Sequence, residues 1–150
     1  MLFRSIPSIA RLLDLGLEPF LVTATLEGIV AQRLVRKICR NCRKQFEPSE
    51  ETLLELGLTP DKVAGKKFYY GKGCEQCNNT GDKGRVGIFE IMMFNDELRD
   101  LVIKRNSTGV LREAACRNGM RLLRDNGLSL VYDGTTTIEE VARETIATSQ

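Results

Sequence analysis

Two CxxC pairs, Cys39-Arg40-Asn41-Cys42 and Cys74-Glu75-Gln76-Cys77, lie 31 residues apart in a chain without a single histidine. No other feature constrains the fold as strongly. Four soft thiolates suit a tetrahedral ion, and zinc, which needs no redox chemistry, is the usual occupant of closed four-cysteine sites. The favoured reading is therefore one structural Zn²⁺ held by Cys39, Cys42, Cys74 and Cys77. Such a site offers substrate no open position. Two readings compete with it: a pair of separate redox or disulfide motifs, for which a lone CxxC is also a signature, and an iron site on the same sulfurs. The strand-to-helix setting of a thioredoxin-like motif is missing. Cys116 falls in the helical stretch Leu111-Arg112-Glu113-Ala114-Ala115-Cys116 and reads as core rather than ligand.

A chain of 150 residues can bury a real core, on the order of 68 to 70% of its unfolded surface. Its 22 basic and 20 acidic residues nearly balance, but they are segregated. Arg33, Arg36, Lys37, Arg40, Arg43 and Lys44 form a run without an acid, and Glu47 to Asp61 carries five acids and no base. The basic run could meet nucleic acid or acidic lipid. A four-thiolate zinc centre is itself a formal dianion, however, and adjacent positive charge would stabilise it. The run contains no aromatic residue to stack on bases, so a nucleic-acid footprint is not favoured. No stretch of 18 apolar residues exists, which argues against a membrane span. The amino end lacks the pattern of a secretory leader, and the expectation is a reducing, cytoplasmic location.

Apolar spacing and turn residues predict the elements. Pro7 opens a short helix that Gly16 closes. A longer helix is expected from Pro19 to Lys37, with Val22, Leu26, Ile29, Val30 and Leu34 on one face and basic residues in its last turn. Ser49 caps a helix stopped by Gly57, and Thr59-Pro60 starts another turn. Lys67 to Tyr70 and Arg85 to Met92 read as the two strands of a small hairpin that carries the metal loops. Arg85 and Glu90 are expected to point out of the second strand. Asn95, Thr108 and the box Thr137-Ile138-Glu139-Glu140 cap further helices, which should pack as a bundle. Between them, Met120 to Asp133 is either broken at Asn126-Gly127 or makes a small-residue contact there. The fold class is α+β: a predominantly helical chain with an inserted four-cysteine module containing a small two-stranded β element.

The stretches Leu12-Leu13-Asp14-Leu15-Gly16-Leu17-Glu18-Pro19-Phe20-Leu21-Val22, Ala31-Gln32-Arg33-Leu34-Val35-Arg36, the four cysteines, Gly81-Asp82-Lys83-Gly84-Arg85-Val86-Gly87-Ile88-Phe89-Glu90 and Asp133-Gly134-Thr135-Thr136-Thr137 occur in an order that resembles the carboxyl-terminal part of the assembly ATPases of type II secretion and type IV pilus systems. The resemblance implies part of a cytoplasmic, hexameric, RecA-like motor, with a zinc module on Cys39, Cys42, Cys74 and Cys77 inserted after the ATPase core. It implies three segments: 1–37, the last helices of the ATPase domain; 38–93, the zinc module; and 94–150, a helical tail. Implied partners are the remainder of the motor, neighbouring subunits of the hexamer and the inner-membrane platform protein. ATP and Mg²⁺ would serve the full-length parent, itself peripheral to the inner membrane.

The chain has no G-x-x-x-x-G-K-[ST] loop. Without such a loop to cradle phosphates, transition-state stabilisation has no identifiable source, and no ATP hydrolysis is expected from this chain alone. Met1 to Ser5 read as residues at a start or cut point. Two functions of other classes stay open: a zinc-ribbon nucleic-acid-binding protein, and a stand-alone adaptor for a secretion motor.

Overall fold

Four helices start on a hydroxyl or amide cap in the computed structural model, which describes residues 5–146. The chain runs α1 (Ser5–Asp14), α2 (Pro19–Thr25), β1 (Gly28–Ile38), β2 (Arg43–Phe46), α3 (Glu50–Glu55), α4 (Pro60–Val63), β3 (Phe68–Gly71), a 3₁₀ turn (Glu75–Cys77), β4 (Asp82–Met93), α5 (Asp96–Ile103), α6 (Thr108–Arg117), α7 (Leu123–Tyr132) and α8 (Ile138–Thr145). This is the α+β, mostly helical chain that the sequence predicts. The caps are Ser49, Asn95, Ser107 and Thr137, whose side-chain oxygens accept from the backbone N–H of Thr52, Leu98, Val110 and Glu140. The cap of α6 is thus Ser107, one residue before the expected Thr108. Of the expected box at α8, only the Thr137 half forms, because the Glu140 carboxylate is engaged by Arg36 instead.

The long helix expected from Pro19 ends at Thr25, and Gly28–Ile38 is an eleven-residue strand. Leu26 already has extended backbone angles, and Gly28 and the β-branched Ile29, Val30 and Val35 favour extension over continued helix. Helical and strand periods were hard to separate here because both strand faces carry apolar residues. Val35 and Ile38 are buried, whereas Val30 and Leu34 are exposed. The strand pairing also differs from the expected hairpin. β1 pairs with β4, and β3 pairs antiparallel with β2, matching Arg43 to Gly71 and Phe46 to Phe68. Phe46 then meets Tyr70 edge to face at 5.5 Å, and the Arg43 guanidinium lies 5.2 Å from the Tyr69 ring centre.

Two compact units divide the described residues. In the unit of residues 5–32 and 89–123, α1, α5 and α6 bury Ile6, Ile9, Leu98, Val102, Leu111 and Ala115 together with Met92 and Phe94. Glu90, only 1% exposed, lies inside this unit rather than pointing out of β4 as expected. Its carboxylate accepts from Ser5 N and Oγ (3.1 and 2.5 Å) and from Leu123 N (3.1 Å), so it caps the described starts of α1 and α7. Opposite parity along β4 leaves Arg85, Phe89, Ile91 and Met93 exposed.

The second unit, residues 33–88 and 124–146, gathers Leu56, Leu58, Phe68, Leu128, Val131, Ile138 and Val141. Helices α5 to α8 therefore serve two cores rather than one bundle. Helix α7 continues through Gly127, where only a hydrogen fits: a Cβ there would fall 2.8 Å from a Val141 methyl. Of the two alternatives for Asn126-Gly127, the small-residue contact holds. Of Met1 to Ser5, residues 1–4 lie outside the described residues.

Candidate metal centre

Each CxxC pair forms a tight turn at a strand end. β1 stops at Ile38, Cys42 N bonds to Cys39 O at 3.4 Å, and the chain leaves along β2. The second pair follows β3, with Cys77 N on Cys74 O at 3.2 Å and Asn79 N on the same oxygen at 2.8 Å. Asn78 and Asn79, at φ 52° and 61°, reverse the chain toward Gly81, using the tolerance of asparagine for left-handed angles.

Backbone approaches backbone closely around this turn. A Cβ on Gly71 would stand 1.9 Å from Gly81 O, and one on Gly81 would stand 2.3 Å from Gly71 O. Side chains at either position are excluded, which lets the end of β3, before the second knuckle, lie against the start of β4. Cys39 N completes the frame by bonding to Gly81 O at 2.9 Å, and Lys72 N bonds to Cys42 O at 3.0 Å.

The frame brings all four predicted sulfurs within 4.8 Å of one another. Sγ separations are 3.8 Å for Cys39 and Cys74, 3.9 Å for Cys42 and Cys77, and 3.7 Å for Cys74 and Cys77. A tetrahedron with metal–sulfur bonds of about 2.3 Å has edges of about 3.8 Å, and these three separations lie close to that length. Disulfides need about 2.05 Å, and none of the five cysteines is disulfide-bonded. Cys39, Cys42 and Cys77 are buried and Cys74 is half-buried, while Cys116 packs against the aliphatic core of the other unit. The tetra-cysteine cluster is positioned to chelate a metal ion, and an all-sulfur, largely buried donor set supports structural zinc.

Hydrogen bonds prepare the sulfurs for that role. Burial opposes the Cys77 thiolate, but the N–H groups of Cys74 (3.2 Å) and Gly81 (3.3 Å) donate to it and bring its pKa down to about 6. The Asn41 amide, then the Cys77 backbone, lower that of Cys74. Burial dominates at Cys42 and pushes its thiol up to about 11, although Gly73 N donates at 3.2 Å. One centre thus contains both easily and reluctantly ionised thiols, and a divalent cation would remove the penalty at the second kind. Asn41, Gly73 and Gly81 are supporting residues that cysteine spacing alone did not single out. The glycines on either side of the second pair were their only signal.

A second set of contacts anchors the module. Arg36 N donates to Glu140 Oε2 at 2.8 Å, its Nε donates to Oε1 at 2.9 Å, and its guanidinium also reaches Asp82 at 3.5 Å. Arg143 joins the same carboxylate. Thr136 Oγ1 donates to Arg36 O at 2.7 Å, and Ile38 N donates to Thr135 O at 2.8 Å. The Asp133 to Thr137 loop therefore runs against the end of β1 that leads into Cys39. Burial raises the Glu140 pKa, but the Arg36 hydrogen bonds outweigh it and hold the carboxyl below the ordinary range.

No helix among the described residues is long and apolar enough to cross a membrane. The family model described as "Type II/IV secretion system protein" matches residues 4–143. The chain is 42% identical over 139 residues to the type IV pilus assembly ATPase PilB of Thermus thermophilus, covering 93% of this chain and 16% of that protein. It is 46% identical to PilB of Myxococcus xanthus, covering 92% and 25%, and 37% identical to type II secretion system protein E of Pseudomonas aeruginosa, covering 94% and 28%. This chain spans between about a sixth and a little over a quarter of the length of these relatives. With a family match over nearly all its residues and the four sulfurs gathered within 4.8 Å of one another, the chain belongs to the type II/IV secretion system protein family.

Proposed function

We propose that this chain is the zinc-bearing, carboxyl-terminal portion of a cytoplasmic ATPase that powers type II secretion or type IV pilus assembly, and that its own role is structural. Cys39, Cys42, Cys74 and Cys77 hold one zinc ion per chain. The ion fastens the two knuckles and sets the direction in which β2 and β4 leave them. The observation that carries this reading is the matching of the three sulfur separations, 3.7 to 3.9 Å, to the edges of a zinc tetrahedron in a chain of this family.

Under this reading the chain divides as the motor's sequence does: 1–37 closes the ATPase domain, 38–93 is the inserted module, and 94–150 is the tail. These are functional segments, distinct from the two compact units. ATP and Mg²⁺ are bound by the rest of the motor, which is also the first partner, followed by neighbouring subunits of a hexamer and the inner-membrane platform protein.

The isolated chain has no phosphate loop and should not turn over ATP. The test is Mg²⁺-dependent ATP hydrolysis by the pure chain and by the longer protein that contains it. The expected result is turnover by the longer protein only. Turnover by the pure chain would contradict the proposal.

A further inference from the structure

Lys37, Arg40 and Lys83 come together from three segments: the end of β1, the first knuckle and the start of β4. With Ile38, Cys39, Asn41 and Gln76 they line a surface cleft of about 240 Å³. No carboxylate lines this cleft, and none of the three cations has an ion pair among the described residues. An adjoining cleft of about 370 Å³ shares Lys37 and Arg40, but its other charges are occupied. There Arg43 donates to Gly134 O at 3.2 Å and covers Tyr69, and Asp133 accepts from Thr135. Positive charge without a partner is thus concentrated in the smaller cleft. Three cations also exceed the formal dianion of a four-thiolate zinc centre behind Cys39, so the cleft stays cationic whether or not that centre is filled.

We propose that this cleft binds a phosphate group, carried either by a soluble phosphate ester or by an anionic lipid headgroup. A guanidinium presents a planar fork to two phosphate oxygens, and the two ammonium groups act as point charges from other directions. Gln76 supplies a neutral donor, while the Asn41 amide is turned to Cys74. The cleft is smaller than the roughly 300 Å³ at which pockets begin to enclose a drug-sized ligand. It grips an anionic group rather than a whole nucleotide. No aromatic ring lines it, so a stacked base has no platform.

The first arm of the test is an amide and lysine side-chain NMR titration of the zinc-loaded 150-residue chain with inorganic phosphate at constant ionic strength. Saturable shifts confined to the neighbourhood of residues 37–41, 76 and 83 are expected. Lys83→Gln, which lies outside both knuckles, should weaken binding by about threefold to tenfold at unchanged zinc content. Lys37→Gln is the second variant, should the first disturb β4. Shifts that spread over all lysines without saturating, or that persist unchanged in both variants, would overturn the site. The second arm is co-sedimentation with vesicles of phosphatidylglycerol and phosphatidylcholine, against phosphatidylcholine alone. Binding to the anionic vesicles that Lys83→Gln weakens assigns the phosphate to lipid. Saturable binding of inorganic phosphate without vesicle binding assigns it to a soluble ester.

Discussion

In the unit of residues 5–32 and 89–123, stability comes from aliphatic burial: Ile6, Ile9, Leu98, Val102 and Leu111 interlock with Met92 and Phe94. The metal module is built in another way. Its interior is Cys39, Cys42, Cys77 and the half-buried Cys74, framed by glycines whose backbones touch. Its two-stranded sheet, β2 with β3, is four residues long on each strand. Phe68 and Phe46 tie one end of this sheet to the second aliphatic core, but the knuckle end has only cysteines inside it, and there ligand chemistry has to supply what apolar area does not. One region should fail through cavities and the other through loss of an ion. They should fail separately.

The largest effect expected is metal removal. Chelation should forfeit on the order of 10 kcal/mol of apparent coordination energy, and Cys77→Ser a part of it. Residues 39–46 and 68–82 should lose amide protection, while the protection of α1, α5 and α6 persists. Hydrogen exchange with and without chelator checks this, and equal loss in both regions would break the comparison. Leu98→Ala, in the aliphatic core, should cost about 2 to 5 kcal/mol in denaturant unfolding and leave metal stoichiometry unchanged. A change in zinc content would mean that the two regions are not energetically distinct.

A smaller effect belongs to Gly127→Ala in α7. Its new methyl would meet Val141, and overpacking should cost about 1 to 3 kcal/mol despite the better helix propensity of alanine. A stabilised variant would show that α8 can shift away freely. The smallest is Glu140→Gln, which removes the charge that binds Arg36. Because Arg36 is half exposed, the loss should be about 1 to 2 kcal/mol near neutral pH. The folded-state pKa of Glu140 lies below its unfolded value, so its contribution is complete above the ordinary carboxylate range and disappears as pH falls through the depressed value. Unfolding curves of wild type and variant should therefore converge in acid. A difference that persists below both pKa values would assign the effect to packing rather than charge.

The gathering of the four cysteines into a cluster positioned to chelate was legible from their spacing, because four thiols in a chain without histidine admit few chemistries. Caps were nearly as legible: Ser49, Asn95 and Thr137 act as their residue types suggest, and Ser107 acts next to the expected Thr108. β1 was not, because Ile29-Val30 and Leu34-Val35 place apolar residues on both faces and erase the alternation that marks a strand. β2 was hidden for the opposite reason. Arg43-Lys44-Gln45 has little strand character of its own, and it is the knuckle that delivers it to β3. The inversion at Glu90, with charge inside and Phe89 and Ile91 outside, depends on two distant helix starts that need its carboxylate.

Elemental mass spectrometry of tag-free protein purified without added metal, paired with thiol titration of the native chain, tests the central claim most directly. The account predicts one zinc per chain and a single reactive thiol, Cys116. Five reactive thiols and no bound metal would contradict it.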